Sequence, residues 1–465
     1  PNLDNRTELL SHSMETLNLL RSGQLAGSKR LKLSCGLTQF PSEIFALADS
    51  LEILDLSNNH LTALPDEFER LKRLKIVFFT NNDFEEIPEV LSQCRSLKMV
   101  SFKSNQVSTV SEHALPPSIR WLILTNNKIE KLPASFGSMS QLQKLMLAGN
   151  RLQSLPQEMA ECLNLELIRL SANQLQELPP WLFTLPRLSW LAYAGNPFCS
   201  ADATHNSMLP DIDWAELMLG EILGQGASGV IYKGLWTSEL AQKEVAIKLF
   251  KGEVTSDGLP PDEMAASLAA GCHDNLVNVL GKLSNQPEEK QGLVFSFIPP
   301  DYKNLGQPPD FDTCTRDTYS ANASFSLPVL LRVTKGIASA AAHLHAEGIM
   351  HGDLYAHNIL FNETGDSLLG DFGAASFYDP SDFAIGQSLE RLEVRAFGCL
   401  LEDMLDRCTL EVSSEYEAAV KSLRCLQQDC LKPVLSQRPR FTEIGKRLIS
   451  VERQVYGTCQ TVPIR

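Results

Sequence analysis

Apolar residues recur in one fixed frame through the first half of the chain. The frame is clearest in LEILDLSNNHLTALP, residues 51–65. Each copy predicts one short strand whose apolar side chains face a shared interior, and no copy buries its apolar edge alone, so the copies have to stack. An asparagine marks seven copies, and a shortened first copy has Cys35 in its place. The asparagines follow at intervals of 22 or 23 residues: Asn59, Asn82, Asn105, Asn127, Asn150, Asn173 and Asn196.

Two polar or rigid positions explain the spacing of this frame. The asparagine follows the strand, where its amide can bond to backbone groups that would otherwise be buried unpaired. The proline after the second leucine pair stops strand pairing and begins the return to the next strand. Residues 9–20 predict an amphipathic helix, so we expect residues 1–28 to cap seven to eight repeats that span 29–199.

The repeated frame resembles the leucine-rich repeat, which implies an α/β solenoid. The third frame position should lie on the exposed concave face, and it carries Met99, Trp121, Leu167 and Trp190. Aromatic and methionine side chains on an exposed curved sheet favour a protein-binding surface. The alternative is that the same face packs against the C-terminal half of the chain.

A different set of motifs begins after a polar linker at residues 200–211. A glycine-rich stretch, LGQGASG at 223–229, precedes VAIK at 245–248. Further along, HGDLYAHN at 351–358 is followed by DFG at 371–373. A glycine-rich stretch alone is a weak signal, but these motifs in this order are specific. The segment therefore resembles a protein kinase. Trp214, the stretch GLW at 234–236 and the pair RP at 438–439 most resemble the tyrosine-kinase-like serine/threonine group.

This resemblance implies an α+β bilobal kinase-like domain at residues 212–454, with a C-terminal tail at 455–465. The whole chain resembles the intracellular fusions of leucine-rich repeats to a kinase that occur in bacteria and plants. ATP and Mg²⁺ are the implied cofactors. Residues expected to hold the nucleotide are Leu223, Gly224, Gly226, Gly229, Ile231, Ala246, Lys248, Ser296, Ile298 and Leu360.

The resemblance also assigns chemical roles. Lys248 would neutralise phosphate charge and needs an acid to hold it, for which Glu263 is the better match and Asp262 the reserve. Asp353 would accept the proton of the acceptor hydroxyl. Asn358 and Asp371 would offer oxygen ligands to Mg²⁺, a hard ion.

Several positions depart from the kinase pattern. Gly352 replaces the arginine usual between the histidine and the aspartate, so control by loop phosphorylation loses one partner. Tyr355 and His357 stand where kinases often place Lys or Arg, so the loop does not identify the acceptor. The activation segment is short, because a stretch resembling the start of the next helix begins about 21 residues after Asp371, at Leu392.

Two further interpretations concern the lower lobe. No Ala-Pro-Glu motif is present, and either Glu390 or Glu393 is the candidate acid to pair with Arg438. Residues 299–326 contain many polar side chains and two adjacent prolines. They are interpreted as a loop insertion, most simply a surface loop.

Charge, cysteine spacing and hydropathy argue against several classes of protein. The net charge is −15, and residues 201–465 carry most of it, which argues against nucleic-acid binding. The 11 cysteines show neither zinc spacing nor a disulfide framework, as expected for a reducing cytoplasm. No apolar run approaches the length of a membrane span.

The predicted function is that of a Mg-ATP-dependent protein kinase, with serine or threonine favoured over tyrosine as acceptor. The repeats would recruit a partner or regulate the kinase. Two alternatives stay open: a kinase-fold enzyme acting on a non-protein target, motivated by Gly352 and the short activation segment, and a scaffold that does not turn over.

Overall fold

The computed structural model describes residues 3–199, 209–238, 242–409 and 414–457. It divides into two compact units, the first made of Pro1–Leu185 with Asn196–Phe198 and the second of Pro186–Gly195 with Cys199–Arg465. The division thus differs from the sequence-based boundary after residue 199. Most of the predicted linker and of the predicted tail lies outside the described residues.

The first unit begins with helix α1 (Leu3–Arg21) and continues as repeats that each contribute one three-residue strand. The strands form a sheet in chain order, and the pairs from β1 to β7 are parallel. An eighth strand of the repeat frame, β8 (Trp190–Ala192), belongs to the second unit. The other seven are β1 (Arg30–Lys32), β2 (Ile53–Asp55), β3 (Ile76–Phe78), β4 (Met99–Ser101), β5 (Trp121–Ile123), β6 (Lys144–Met146) and β7 (Leu167–Arg169).

The repeated asparagines behave as the frame predicts. Asn82 accepts a hydrogen bond from the Leu61 N–H at 2.9 Å and donates to the Leu56 and Phe79 carbonyls. The amide therefore ties two successive repeats together and satisfies buried backbone groups. Prolines precede the short 3₁₀ returns Asp66–Arg70, Glu89–Gln93, Ala134–Ser138, Gln157–Glu161 and Pro180–Thr184.

The prediction of an exposed stripe on these strands is wrong for three of its four residues. Met99, Leu167 and Trp190 are only 4%, 2% and 1% exposed. Met99 lies between Ile76 and Trp121 in register on the adjacent strands, and large neighbours on one face shield one another. Trp190 is covered because it packs on Tyr355 within the second unit. Trp121 is half-buried, with the Lys144 ammonium 4.1 Å from its ring.

The upper lobe of the second unit is a six-stranded sheet with one helix. The sheet has the order β10-β11-β12-β14-β13-β9, and helix α2 (Pro260–Ala269) follows β12. Buried aliphatic residues of β12 and β14, including Val245, Ile247 and Val294, form its core. The strands are β9 (Asp211–Asp213), β10 (Leu217–Gln225), β11 (Gly229–Thr237), β12 (Gln242–Phe250), β13 (Val279–Ser284) and β14 (Gly292–Ser296).

The lower lobe is mainly helical, with helices α3 (Leu327–Ala346), α4 (Phe383–Asp406), α5 (Ser414–Cys430) and α6 (Phe441–Tyr456). Short strands pair as β15-β18-β19, β16-β21 and β17-β20 and present the loops of the site. They are β15 (Lys303–Asn304), β16 (Phe325–Ser326), β17 (Ile349–Met350), β18 (Ile359–Phe361), β19 (Ser367–Leu369), β20 (Ser376–Phe377) and β21 (Cys408–Thr409).

Helix α4 begins at Phe383, nine residues before the start predicted from the Leu392 stretch. The Asp382 side chain caps it by accepting hydrogen bonds from the N–H groups of Ala384 and Ile385. The activation segment, residues 371–382, is therefore even shorter than the sequence indicates. Among the described residues, none of the helices combines the length and apolar character needed to cross a bilayer.

Candidate active site

A cleft of about 810 Å³ lies in the second unit, and it collects the residues predicted to hold a nucleotide. Its walls come from β10, β11, β12 and the stretch that leaves β14. Most of this lining is apolar, which suits a flat heterocycle. The predicted residues on its walls are Leu223, Ile231, Ala246, Lys248, Ser296, Ile298 and Leu360.

The glycine loop, residues 224–229, covers a smaller cavity of about 160 Å³ that shares Ile231, Lys248, Glu263 and Asp371 with the cleft. A Cβ at Gly224 or Gly226 would meet no protein atom within 4 Å, whereas one at Gly229 would collide with the Leu249 carbonyl. Gly229 therefore permits close strand packing. The open space beside the other two suits phosphate groups approaching the backbone.

Lys248 on β12 and Glu263 on α2 form a buried ion pair between the Lys248 ammonium and the Glu263 carboxylate. Burial raises the pKa of Glu263, and the nearby Lys248 acts in the opposite direction. Asp262, the reserve candidate, does not pair with Lys248, and its Oδ2 is buried without a hydrogen-bond partner. Helix α2 thus presents Glu263 to the strand that carries the lysine.

The loop at residues 351–358, named the catalytic loop after the role predicted for Asp353, places Asn358 against Asp353. The Asn358 amide nitrogen donates to the Asp353 side chain at 2.8 Å and to its carbonyl at 2.9 Å. Because the amide nitrogen is used on Asp353, the amide oxygen is the atom that remains for a cation. Asn358 and Asp371 both line the cleft, so two oxygen donors of the kind that Mg²⁺ prefers meet there.

The structure explains why glycine stands at position 352. Gly352 has φ of +74°, and a Cβ there would lie 2.6 Å from the carbonyl oxygens of both Leu191 and Ala374. A side chain would therefore be strained by conformation and by contact. The Gly352 N–H donates to Glu393 Oε1 at 2.6 Å.

Glu393 on α4 organises this loop, a role that the sequence did not suggest. Its Oε2 is 2.8 Å from His345 Nε2 and accepts from the His351 N–H at 3.3 Å. Burial acts to raise the pKa of Glu393, but the hydrogen bonds from His345 and Gly352 outweigh burial and lower it. The carboxylate is thus held ionised beneath the catalytic loop.

Neither candidate acid pairs with Arg438. The Arg438 guanidinium instead donates to the carbonyls of Lys432, Arg391 and Pro186. Glu390 pairs with Arg440 and accepts from the Phe441 N–H. The expected acid–arginine pair is therefore replaced by an arginine that binds three backbone carbonyls.

Asp317, from the segment predicted as a surface loop, also reaches the catalytic loop. Its carboxylate accepts from the Ala356 N–H and lies 2.6 Å from His357 Nδ1. Burial acts to lower the pKa of His357, yet the hydrogen bond to Asp317 and the charge of Asp353 raise it. Asp317 is 8% exposed, so this part of the segment is structural and not a free loop.

Comparison with known families matches residues 217–396 to protein tyrosine and serine/threonine kinases. One leucine-rich-repeat family matches twice, at residues 117–175 and 140–198. A second leucine-rich-repeat family matches residues 50–71. These matches agree with the fold of each unit.

Individual relatives match parts of this chain. Cyclin-dependent kinase 11.1 of Caenorhabditis elegans is 31% identical over 160 residues. The match covers 34% of this chain and 21% of the length of that kinase. The probable serine/threonine-protein kinase gdt4 of Dictyostelium discoideum is 30% identical over 149 residues, which cover 32% of this chain and 8% of gdt4. Serine/threonine-protein kinase STY46 of Arabidopsis thaliana is 23% identical over 283 residues, which cover 53% of this chain and 46% of STY46. The chain thus spans less than half of each of these relatives.

The repeat frame, the six-stranded upper lobe with its Lys248–Glu263 pair, and the family matches agree with one another. This chain joins leucine-rich repeats, within residues 50–198, to a protein kinase domain, within residues 217–396.

Proposed function

We propose that the chain is a Mg-ATP-dependent protein kinase that transfers a phosphoryl group to serine or threonine. The observation that carries this proposal is the convergence of Lys248, Asn358 and Asp371 on one apolar cleft beside Asp353. A kinase-like domain without catalytic activity would not need all four of these residues. The serine/threonine assignment is supported by the names of the relatives gdt4 and STY46.

Each residue has a defined task in this proposal. Lys248, held by Glu263, neutralises phosphate charge, and the glycine loop approaches the phosphates through its backbone. Asp353 orients the acceptor hydroxyl and accepts its proton, while Asn358 fixes the Asp353 carboxylate. Asn358 and Asp371 would hold Mg²⁺. When bound, ATP supplies the phosphoryl group and Mg²⁺ neutralises charge that develops during transfer.

We propose that the repeats recruit a protein partner or regulate the kinase domain. Leucine-rich repeats build extended surfaces that suit protein ligands. The four-residue stripe predicted from the sequence is not that surface, because three of its members are buried. The cytoplasmic location stays a prediction.

The test is a phosphorylation assay with the full chain, γ-labelled ATP, Mg²⁺ and a protein extract. Asp353→Ala should abolish labelling of protein and leave nucleotide binding nearly unchanged, because Asp353 acts on the acceptor and not on the adenine. Asp301→Ala, at an exposed position, is the matched control and should behave like the parent.

Each result of this assay has a clear meaning. Phosphoserine or phosphothreonine in the products supports the proposal, and phosphotyrosine overturns the acceptor assignment. Equal labelling by the parent and Asp353→Ala overturns the role of Asp353. Label only on small molecules points to a non-protein target, and no label from the parent points to a scaffold.

A further inference from the structure

Strand β8 contacts the catalytic loop within the second unit. The Trp190 indole lies parallel to the Tyr355 ring, with the ring centroids 4.3 Å apart and the planes inclined by 6°. Its Nε1 donates to the Leu354 carbonyl at 3.2 Å. Trp190 is 1% exposed, so the stacking and the hydrogen bond are both made away from solvent.

The residues that follow Trp190 bind the activation segment. The N–H groups of Tyr193 and Ala194 donate to Ser376 Oγ at 2.9 and 3.1 Å. Ser376 belongs to β20, which pairs with β17 immediately before the catalytic loop. One short stretch of chain therefore holds the loop that carries Asp353 and the segment beside it.

The packing around Trp190 leaves little room for movement. A cavity of only about 10 Å³ remains where Trp190, Tyr355, Arg316 and Asp403 meet. The Leu191 carbonyl also lies close to Gly352, since a Cβ on that glycine would be 2.6 Å from the carbonyl oxygen. A displacement of the indole would therefore have to move Tyr355 as well.

We propose that Trp190 is a positioning residue for phosphoryl transfer, because it fixes Leu354 and Tyr355 directly after Asp353. Gly352 lets the loop approach the Leu191 carbonyl closely, and the indole contacts the same loop at Leu354 and Tyr355. In-line transfer is sensitive to displacements of about 1 Å, so a loosened loop should slow turnover without weakening nucleotide binding. This inference rests on the proposed kinase function.

The test compares three variants of the full chain. Trp190→Leu should lower kcat by about tenfold or more while KM for ATP stays close to that of the parent. Trp190→Phe keeps an aromatic face on Tyr355 but loses the hydrogen bond to Leu354. Its kcat should therefore lie between that of the parent and that of Trp190→Leu. Trp181→Leu alters a buried tryptophan of the first unit. It should lower the melting temperature and leave kcat unchanged.

Rates are expressed per nucleotide-binding site, so that loss of folded protein is not counted as slow turnover. A parental kcat in Trp190→Leu overturns the inference, as does a higher kcat, which would mean that the strand restrains the enzyme. If Trp190→Leu does not fold, Tyr355→Leu removes the same stacking from the loop side and carries the same expectations.

A second measurement does not depend on turnover. Amide hydrogen exchange of residues 351–358 should be faster in Trp190→Leu than in the parent and in Trp181→Leu. Unchanged exchange overturns the inference. An inactive parent overturns the proposed function alone, so the two failures can be told apart.

Discussion

Gly352 occupies a place where two carbonyl oxygens leave no room for a side chain. Kinases usually carry an arginine at this position, and the arginine cannot be accommodated here without moving the Leu191 or Ala374 backbone. The glycine is therefore a packing requirement of this chain. Its positive φ adds a second reason, because residues with a Cβ adopt that conformation at a cost.

Gly352→Ala should lower the free energy of unfolding of the second unit by about 1–3 kcal/mol, through strain and collision. The measurement is urea denaturation of the full chain. Gly445→Ala is the control, because Gly445 lies in α6 and a Cβ there meets nothing within 4 Å. The Gly445→Ala substitution should raise the free energy of unfolding by about 0.5–1 kcal/mol. Equal effects of the two substitutions would contradict the packing argument.

Glu393→Gln should destabilise the second unit by about 2 kcal/mol at pH 7, since a buried charge-assisted hydrogen-bond network is lost. The folded-state pKa of Glu393 is lowered from its ordinary value of 4.5. Its stabilising contribution is therefore complete above that pH and is lost as the pH falls through the folded value.

The measurement for Glu393→Gln is the difference in melting temperature between parent and variant from pH 7 to pH 3. The groups facing Glu393 are His345 and His351, with Tyr378 behind His345. The difference should be constant near neutrality and shrink below pH 4.5. A difference that grows on acidification would show that the carboxylate does not stabilise the loop.

At the scale of elements, the segment at 299–326 is the clearest departure from expectation. It contributes β15 to a three-stranded sheet and β16 to a pair with β21. Arg316 in the same segment pairs with Glu402 and Asp403 on α4. The segment is thus a built part of the lower lobe that brings Asp317 under the catalytic loop.

Asp317→Ala should lower kcat by about tenfold or more, because Ala356 and His357 lose the acceptor that fixes them beside Asn358. Steady-state kinetics with a protein substrate is the measurement. Asp301→Ala, exposed in the same segment, serves as control. Equal kcat values in Asp317→Ala and Asp301→Ala would show that the segment acts only as a surface loop.

Motifs and periodicity predicted a large share of the fold and site. The repeat frame located the strands because each copy uses local contacts. The kinase motifs named Lys248, Asn358 and Asp371, which line one cleft, and Asp353, which bonds to Asn358; their roles stay predictions. The contacts that Glu393, Asp317 and Trp190 make with the catalytic loop were not predicted, because they join residues 41, 40 and 164 positions apart. No local pattern indicates such pairs. The start of α4 was missed because the Asp382 cap was not recognised.

At the scale of the whole molecule, activity should not require phosphorylation of the activation segment. Ser376 is fully buried and binds the β8 segment, while the Tyr378 hydroxyl donates to the His345 carbonyl. These two hydroxyls already hold the segment in place, and the third, on the exposed Ser381, donates only to the neighbouring Asp379 among the bonds described for it. Phosphatase-treated protein should keep most of its kinase activity, measured as initial rate against untreated protein. Loss of nearly all activity, restored by ATP preincubation, would count against this expectation.

The assignment of Pro186–Gly195 to the second unit has a consequence for how such a chain can change by recombination. Arg438 and Arg395 bind the carbonyls of Pro186 and Arg187, and the next residues reach the catalytic loop. A crossover placed after the last repeat would separate the kinase from a strand that packs into it. We expect successful exchanges of the repeat array to fall before Pro186, so that the last repeat is inherited together with the enzyme and repeat number varies upstream of it.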